Sequence, residues 1–573
     1  MDRRVFQAEA TNGKAHRRTS LRMAAAVLLA GALAIWHLRG GGLPLDRNQQ
    51  MALLLALLTA CYLYARVRLK RSQKSLRQTP PPGGLPAAFP SPPPRPRRHP
   101  MSRMINELKR IVGDDGVLAE KGERAVYEND AYPLEKAAPL ATVLPRTTAQ
   151  VSEVVRVCAR HNIPFAPRGA GTGLAGGTLC PGGILIGVAR MNRILDIDLR
   201  NRRLTAQAGA INIALTKAVA AEGYLYAPDP SSQGASTLGG NIANNAGGPH
   251  TLKYGVTANH VLAVELVLPD GEVVTLGDKT EDVNGYDLLG LALGSEGTFG
   301  IVTEATVRLT RAPQAVRTLL AVFDTVDDAT LAVSEIIAGG IVPAALEMMD
   351  AVILQAVEDA FHFGFPRDAG AILIIELDGL EAGLEAQADR VRALCGANAA
   401  REVRQAQTPK DRANLWAARK KAVGTLGRLA PSCVTQDCVI PRSKLPQVLR
   451  AIAAIGVKYD LRIANVFHAG DGNLHPATLF DERNPDEVKR VIAASHEILE
   501  LCIGVGGTLT GEHGIGVEKR DHMPLLFPPE TLRTMEEVRA VFNPLGLCNP
   551  GKVLPTSHGC AYDFQPRTGA VAV

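Results

Sequence analysis

A chain of 573 residues has room for two or three domains, each with its own core. The formal charge of +6 comes mostly from the first hundred residues, and no basic patch interleaved with aromatics follows, which argues against nucleic acid as a partner. The 9 cysteines are scattered with no C-x-x-C pair, which argues against zinc ribbons and ferredoxin-type clusters and fits reduced thiols.

Residues 23–37 and 51–66 are apolar, each near the lower limit for a membrane span. Arg39 and Gly40 to Pro44 make a turn between them. Arg17, Arg18 and Arg22 precede the pair; Arg66, Arg68, Lys70 and Arg71 follow it. The positive-inside rule predicts a helical hairpin over 1–78 with both ends on the cytoplasmic face of the inner membrane. A start at Met101 or Met104 is the alternative and would leave a cytoplasmic protein. Residues 79–100, rich in proline and arginine, read as an extended linker.

A folded domain is expected over 101–312. Residues 141–144 and 163–166 read as strands around a helix. Thr147 and Gln150 predict a capping box for that helix, and Val151, Val154, Val155 and Cys158 form its apolar face. The second strand runs into PRGAGTGLAGG, residues 167–177, where 5 of 11 residues are glycine. Such a loop can point successive N–H groups at a phosphate. Gly171 to Gly176 matches G-x-G-x-x-G, but Pro181 and a strand over 184–188 follow where a Rossmann unit needs a helix. A pyrophosphate loop outside the Rossmann fold is expected; a flexible surface loop is the alternative. A hairpin over 194–199 and 204–208 and a helix over 212–222 come next. Residues 229–248, DPSSQGASTLGGNIANNAGG, carry almost no large apolar side chain, yet the strand over 261–268 resumes after them. Such a stretch inside a domain is functional or disordered. A third glycine-rich piece, residues 291–302, leads into a strand over 303–309.

Three such stretches in this order resemble the FAD-binding domain of the vanillyl-alcohol oxidase and para-cresol methylhydroxylase superfamily. Their wording resembles the branch that contains the FAD-linked subunit of glycolate oxidase and the D-lactate dehydrogenases. The resemblance implies an α+β fold: an FAD-binding domain of the para-cresol methylhydroxylase type with two α+β subdomains, and an α+β cap with an antiparallel sheet. It implies that Arg168, Gly169, Gly171, Thr172, Gly173, Leu174, Gly176 and Gly177 hold the pyrophosphate with Pro230, Ser232, Gly234 and Ser236. Gly239, Gly240, Asn241, Asn244, Gly248 and Gly255 would line the flavin channel, and Glu296, Gly297, Gly300, Ile301 and Asn549 would complete it. Some relatives attach flavin through a histidine in the first loop. None stands there, so non-covalent FAD is expected.

Residues 313–525 alternate strand-like runs (316–323, 344–349, 371–377, 401–404) with helical ones (327–337, 381–394), which predicts a sheet with helices on one face. By the resemblance this is the substrate-binding cap, and 526–573 returns to the FAD domain. VFHAGDGNLHP, residues 466–476, predicts a hairpin with Asp471-Gly472 as its two-residue turn. That register sets His468 directly opposite His475, where two imidazoles can share a metal or simply stack. Glu512 and His513, between glycines, offer a third ligand and a base, or a helix cap and a salt bridge. The resemblance implies that His468, His475 and Glu512 hold a divalent metal; zinc, manganese and iron all suit this set. It also implies that His513 is the base, that Asn473 lies beside the substrate, and that Arg419 grips the substrate carboxylate. Arg419 could instead be a helix-surface charge beside Lys420 and Lys421. No Lys or Arg occurs over 434–438, where relatives acting on larger diacids carry one, so a monocarboxylate is favoured.

The expected activity is FAD-dependent oxidation of a small (R)-2-hydroxy acid, glycolate or D-lactate, to the 2-oxo acid, with electrons leaving to partner subunits that include an iron–sulfur protein, or to a respiratory acceptor. The alternatives are a membrane-anchored metal-dependent hydrolase or, in the same family, a D-2-hydroxyglutarate-type dehydrogenase.

Overall fold

The structure, a computed structural model, describes residues 100–280 and 285–555. The apolar runs expected to form a membrane hairpin lie outside the described residues. Among the described residues, no helix is long and apolar enough to cross a membrane.

Three larger sheets organise the described residues, beside a two-stranded pairing of Tyr224–Leu225 with Thr310–Arg311. The first has the order Val117–Leu118, Ala141–Val143, Ile184–Gly187, Phe165–Arg168, and the last three strands run parallel. Helix Thr148–His161 makes the crossover and buries Val151, Val154, Val155 and Cys158. Thr147 caps it, its hydroxyl accepting from Gln150 N at 3.2 Å. The reciprocal arm of the expected capping box differs: Gln150 Oε1 accepts from Arg146 N, not from Thr147 N. Phe165–Arg168 carries the chain into the first glycine loop at the carboxyl end of the sheet, the usual ligand end of such units. Residues from the far end of the chain lie along this strand. Phe165 N donates to Leu547 O at 2.9 Å and Asn549 N donates to Phe165 O at 2.7 Å.

The second sheet is antiparallel, in the order Ile194–Asp198, Arg203–Gln207, Ile301–Arg308, Val261–Val267, Val273–Gly277. The middle of the small-residue stretch forms helix Leu238–Asn244, capped by Thr237. Its lack of bulk lets it lie on the sheet backbone: a Cβ on Gly239 would come 2.7 Å from Ala208 Cβ.

The third sheet is also antiparallel, in the order Glu402–Gln405, Ala315–Phe323, Ala371–Gly379, Ala345–Asp350, Arg462–His468, Asn473–Leu474, Cys438–Val439. Helices cover both of its faces, which corrects the expected single covered face. Leu373, Ile375 and Leu377 pack under helices Val326–Ala338, Leu384–Ala397, Leu445–Lys458 and Pro485–Gly504. Ile372 and Ile374 point the other way, under Ala351–Phe361 and Pro409–Thr425. A strand buried on both faces has no polar alternation, and AILIIELDG shows nearly none.

Candidate functional site

The central hairpin departs from the two-residue turn. Asn465 pairs with Pro476 and His468 with Asn473, so the loop holds four residues, 469–472. The pairing has slipped by two positions from the expected one, and His468 is diagonal to His475 rather than opposite it. A slip of two preserves the face each side chain takes, so both imidazoles still meet. Their ring centroids lie 5.2 Å apart, edge to face. The loop is longer because its end meets a third strand: Ile440 N donates to Gly472 O, and a Cβ on Gly472 would collide with Ile440 O.

Glu512 closes a triangle with these histidines. Its Oε1 is 3.1 Å from His468 Nε2 and 3.4 Å from His475 Nε2. One ligand atom from each of the three lies within 4.8 Å of the others. His475 Nε2 is buried and makes no hydrogen bond. His468 gives its other nitrogen, Nδ1, to Glu347 at 2.7 Å, the outer carboxylate that commonly orients a metal-binding histidine. Burial lowers the His468 pKa, but Glu347 and Glu512 outweigh it and raise it well above the usual value. The two carboxylates thus favour positive charge at this point, and a divalent cation satisfies them as a proton does. The donor set fits a catalytic metal.

Glu347 was missed in the sequence, where it is one acidic residue in the apolar run ALEMMD. It lies opposite His468 across two strands and also accepts from Arg419 Nε at 2.6 Å. Arg419 is 3 % exposed, which removes the helix-surface reading. Its helix, Pro409–Thr425, is held a second time by Glu376, which accepts from Arg412 Nε and Nη2 and from Trp416 Nε1 at 2.7 to 2.8 Å. Residues 412, 416 and 419 share one helical face.

Asp437 was the other omission. It accepts from the N–H groups of Gly511, Glu512 and His513 at 2.8 to 3.2 Å and so shapes the GEHG loop. Burial raises its pKa, but His513, Lys519 and His475 pull it well below the usual range. His513 stacks on His475, with centroids 4.8 Å apart. Burial lowers its pKa to about 4, against the pull of Asp437, so it is a neutral imidazole at pH 7. His513 Nδ1 is buried and makes no hydrogen bond.

These groups share one cavity of about 340 Å³ with the glycine-rich stretches. Arg419, His475, Glu512 and His513 form one wall. Arg168, Gly169, Gly171, Thr172, Gly173, Leu174, Gly177, Pro230, Ser232, Ser236, Gly239, Gly240, Asn241, Asn244, Glu296, Gly297, Gly300 and Ile301 lie on the other. From Gly171 to Ala175 no backbone N–H donates to a protein acceptor, which leaves them for an anion. Gly169 brings the first stretch against the second, since a Cβ there would collide with Thr237 Oγ1. The cavity has the size and the open donors a dinucleotide cradle needs.

Some of the expected site residues brace the cavity wall or lie away from it. Arg168 Nη1 donates to Asn129 O and Thr178 Oγ1, bracing the loop from beneath. Both carboxylate oxygens of Glu296 accept from the loop after His513, from Ile515 N and Gly516 N. Asn549 Nδ2 ties Gly177 O to Glu296 O, joining the first and third stretches. Gly176, Gly248 and Gly255 have φ of 71°, 147° and 84°, and a Cβ on each would crowd Val517, Asp229 and Asn259. Gly234 is exposed in a turn. Asn473 is buried off the wall beside Gly511, with Oδ1 unpartnered.

A dinucleotide cradle facing a wall of imidazoles, carboxylates and a guanidinium defines a flavin-dependent oxidoreductase. Residues 139–277 match the FAD binding domain family and residues 312–553 the C-terminal domain of FAD linked oxidases. The chain is 48% identical to the glycolate oxidase subunit GlcD of Escherichia coli K12, over 80% of this chain and 92% of that protein. It is 33% identical to a D-lactate dehydrogenase of Anaerostipes hadrus, over 78% and 97%. The fold matches p-cresol methylhydroxylase with a TM-score of 0.67 at 17% identity, over 79% and 96% of the two chains. The chain belongs to the FAD-linked oxidases.

Proposed function

We propose that this protein is an FAD-dependent dehydrogenase of a small (R)-2-hydroxy acid, glycolate or D-lactate, which it converts to the 2-oxo acid. One observation carries the reading: Arg419, His475, Glu512 and His513 face the glycine-built cradle across a single cavity. Bound FAD supplies the acceptor for the electron pair that leaves the substrate. No histidine stands in the first loop, so the flavin is held without a covalent bond. Arg419, its Nε fixed by Glu347, presents the rest of its guanidinium to the substrate carboxylate. His468, His475 and Glu512 would hold a divalent ion, which supplies Lewis acidity toward the hydroxyl. His513, neutral and buried, takes the hydroxyl proton. Lys420 lines the cavity beside Arg419, but residues 434–438 bring no further Lys or Arg, which favours a monocarboxylate. Electrons then pass to partner subunits, one of them an iron–sulfur protein, and residues 1–78 hold the enzyme on the cytoplasmic face of the membrane.

Anaerobic bleaching of the flavin across a panel of hydroxy acids tests the reading. Glycolate or D-lactate should bleach it, and chelation should slow the reaction. A colourless protein that hydrolyses esters or phosphates would establish the metallohydrolase instead.

A further inference from the structure

Where the cradle side meets the cap sheet, a seam of ionised groups lies outside the flavin and substrate sites. His250 stands at its centre. On the cradle side its Nδ1 is 2.8 Å from Asp229 Oδ2. On the cap side its Nε2 is 3.4 Å from Glu376 Oε1, and its ring stacks on Trp416 with centroids 5.4 Å apart. The carboxylate at each nitrogen holds the ring as an imidazolium, with one N–H for each. The residues that follow continue the seam to Asp378, on the same strand as Glu376. Tyr254 Oη donates to Asp378 Oδ2 and Lys253 Nζ to Asp378 O, both at 2.6 Å.

Each end of this contact leads to a functional element. Asp229 runs directly into Pro230, Ser231 and Ser232, which line the cradle. Its Oδ1 is buried without a hydrogen bond and its Oδ2 meets His250, so among the described residues no other side chain holds this carboxylate. Glu376 leads to Arg419. It grips helix Pro409–Thr425 through Arg412 and Trp416 at 2.7 to 2.8 Å. On the neighbouring strand Glu347 lies on the same face, two residues from Ala345, which pairs with Glu376. Glu347 grips the same helix through Arg419, about two turns beyond Arg412. One helix is thus held at two carboxylates of one sheet face, and His250 reaches the first of them. Glu376 does not need His250 for its own solvation. Arg412 Nε and Nη2, Trp416 Nε1 and Thr318 Oγ1 already donate to its two oxygens. The contact from His250 therefore adds a connection, not the rescue of a stranded charge.

We propose that His250 is a positioning residue: through Asp229 it fixes cradle residues 230–232, and through Glu376 and Trp416 it fixes the helix of Arg419, so that it sets where the substrate carboxylate is held relative to the flavin. The substrate half of this inference rests on the proposed activity. Reacting atoms must be aligned at about 3–3.5 Å for transfer. Flavin and substrate are held by different walls, so their alignment is only as good as the contacts that join those walls. Glu296 makes one such contact, accepting from Ile515 N and Gly516 N, and it serves the loop that carries His513. The His250 seam serves the group that holds the carboxylate.

Cross effects test the link, each substitution being read at the opposite wall. Asp229→Asn is on the cradle side; the glycolate or D-lactate concentration that half-saturates flavin reduction should rise by about fivefold. Arg412→Gln is on the cap side and away from the cavity; FAD release from diluted holoenzyme, read as flavin fluorescence, should quicken by about fivefold. His250→Asn cannot span both carboxylates and should show both changes. In that background Asp229→Asn should add nothing at the substrate and Arg412→Gln nothing at the flavin. If His250→Asn does not fold, the two single cross effects carry the test. A residue that only stabilised the fold would lower the melting temperature and leave both cross effects absent. Absence of either one overturns the link, because His250 then serves one wall alone. Cross effects that persist at full size beside His250→Asn also overturn it, since the coupling then runs elsewhere. No bleaching of the unaltered protein by any hydroxy acid overturns the proposed activity, and the FAD arm, which uses no substrate, still decides the link.

Discussion

The two walls of the main cavity are built on opposite plans. On the flavin side, side chains are removed so that backbones can meet: Gly169 at Thr237, Gly239 at Ala208, Gly516 at Ala175. On the cap side, charged side chains are buried and held in pairs: Arg419 on Glu347, the loop of Glu512 and His513 on Asp437, Arg412 and Trp416 on Glu376. The first plan fixes position by contact and leaves N–H groups free for a ligand. The second fixes position by hydrogen bonds to carboxylates on a rigid sheet and leaves charge and proton affinity to be tuned. A loss on the first wall is therefore steric, and a loss on the second electrostatic.

The largest effect should come where the walls touch. Gly516 has φ of 55°, and a Cβ there would collide with Ala175 O, a backbone atom. Gly516→Ala should cost about 3 kcal/mol or more and yield protein that retains no flavin on gel filtration. Flavin retention with an unchanged melting temperature would show that the contact gives way. On the charged wall, Glu347→Ala strands Arg419 and His468 together, and breaking such a buried pair costs about 3–5 kcal/mol. Denaturant unfolding and metal analysis should show lower stability and lost metal.

His513→Gln tests chemistry without breaking either wall. Bound FAD should remain, and flavin reduction should slow by about 10²–10⁴-fold, read by stopped-flow absorbance. Arg419→Lys keeps the charge and loses the fork; KM should rise by about tenfold with a smaller change in kcat. The smallest effect concerns a clasp between the walls. His250 Nδ1 is 2.8 Å from Asp229 and its Nε2 is 3.4 Å from Glu376. Burial lowers its pKa, but the two carboxylates raise it to about 10. A raised folded pKa stabilises fully below the unfolded value of about 6.5, and the gain disappears as pH climbs through the folded value. The stability difference between the unaltered protein and His250→Asn should therefore shrink from neutral pH toward pH 10. A difference that grows with pH would reverse the assignment.

The glycine wall was legible because the absence of side chains is itself a pattern, and strand context separated it from a Rossmann loop. The charged wall was legible only where glycines exposed it, in HAGDGNLH and GEHG. Glu347 and Glu376 sit in otherwise apolar strands, and only knowing which helix covers that face shows their partners. Asp437 lies in the stretch 434–438, whose sequence signal is only the lack of a lysine or arginine. The hairpin register slipped because Asp-Gly is a strong local signal, and the third strand that lengthens the loop comes from residues 438 and 439, far back in the chain. The two-sided cap sheet could have been read from the unbroken apolar run at 371–375.

The chain end that lies beside Phe165 has a consequence for biosynthesis. Phe165 opens the first glycine loop, yet its edge is completed by Leu547 and Asn549, and Asn549 alone ties Gly177 to Glu296. A ribosome must deliver nearly the whole polypeptide before those contacts can form. Flavin capture is thus tied to completion of synthesis, and a transcript cut short ahead of residue 547 should yield an apoprotein rather than a partly loaded oxidase.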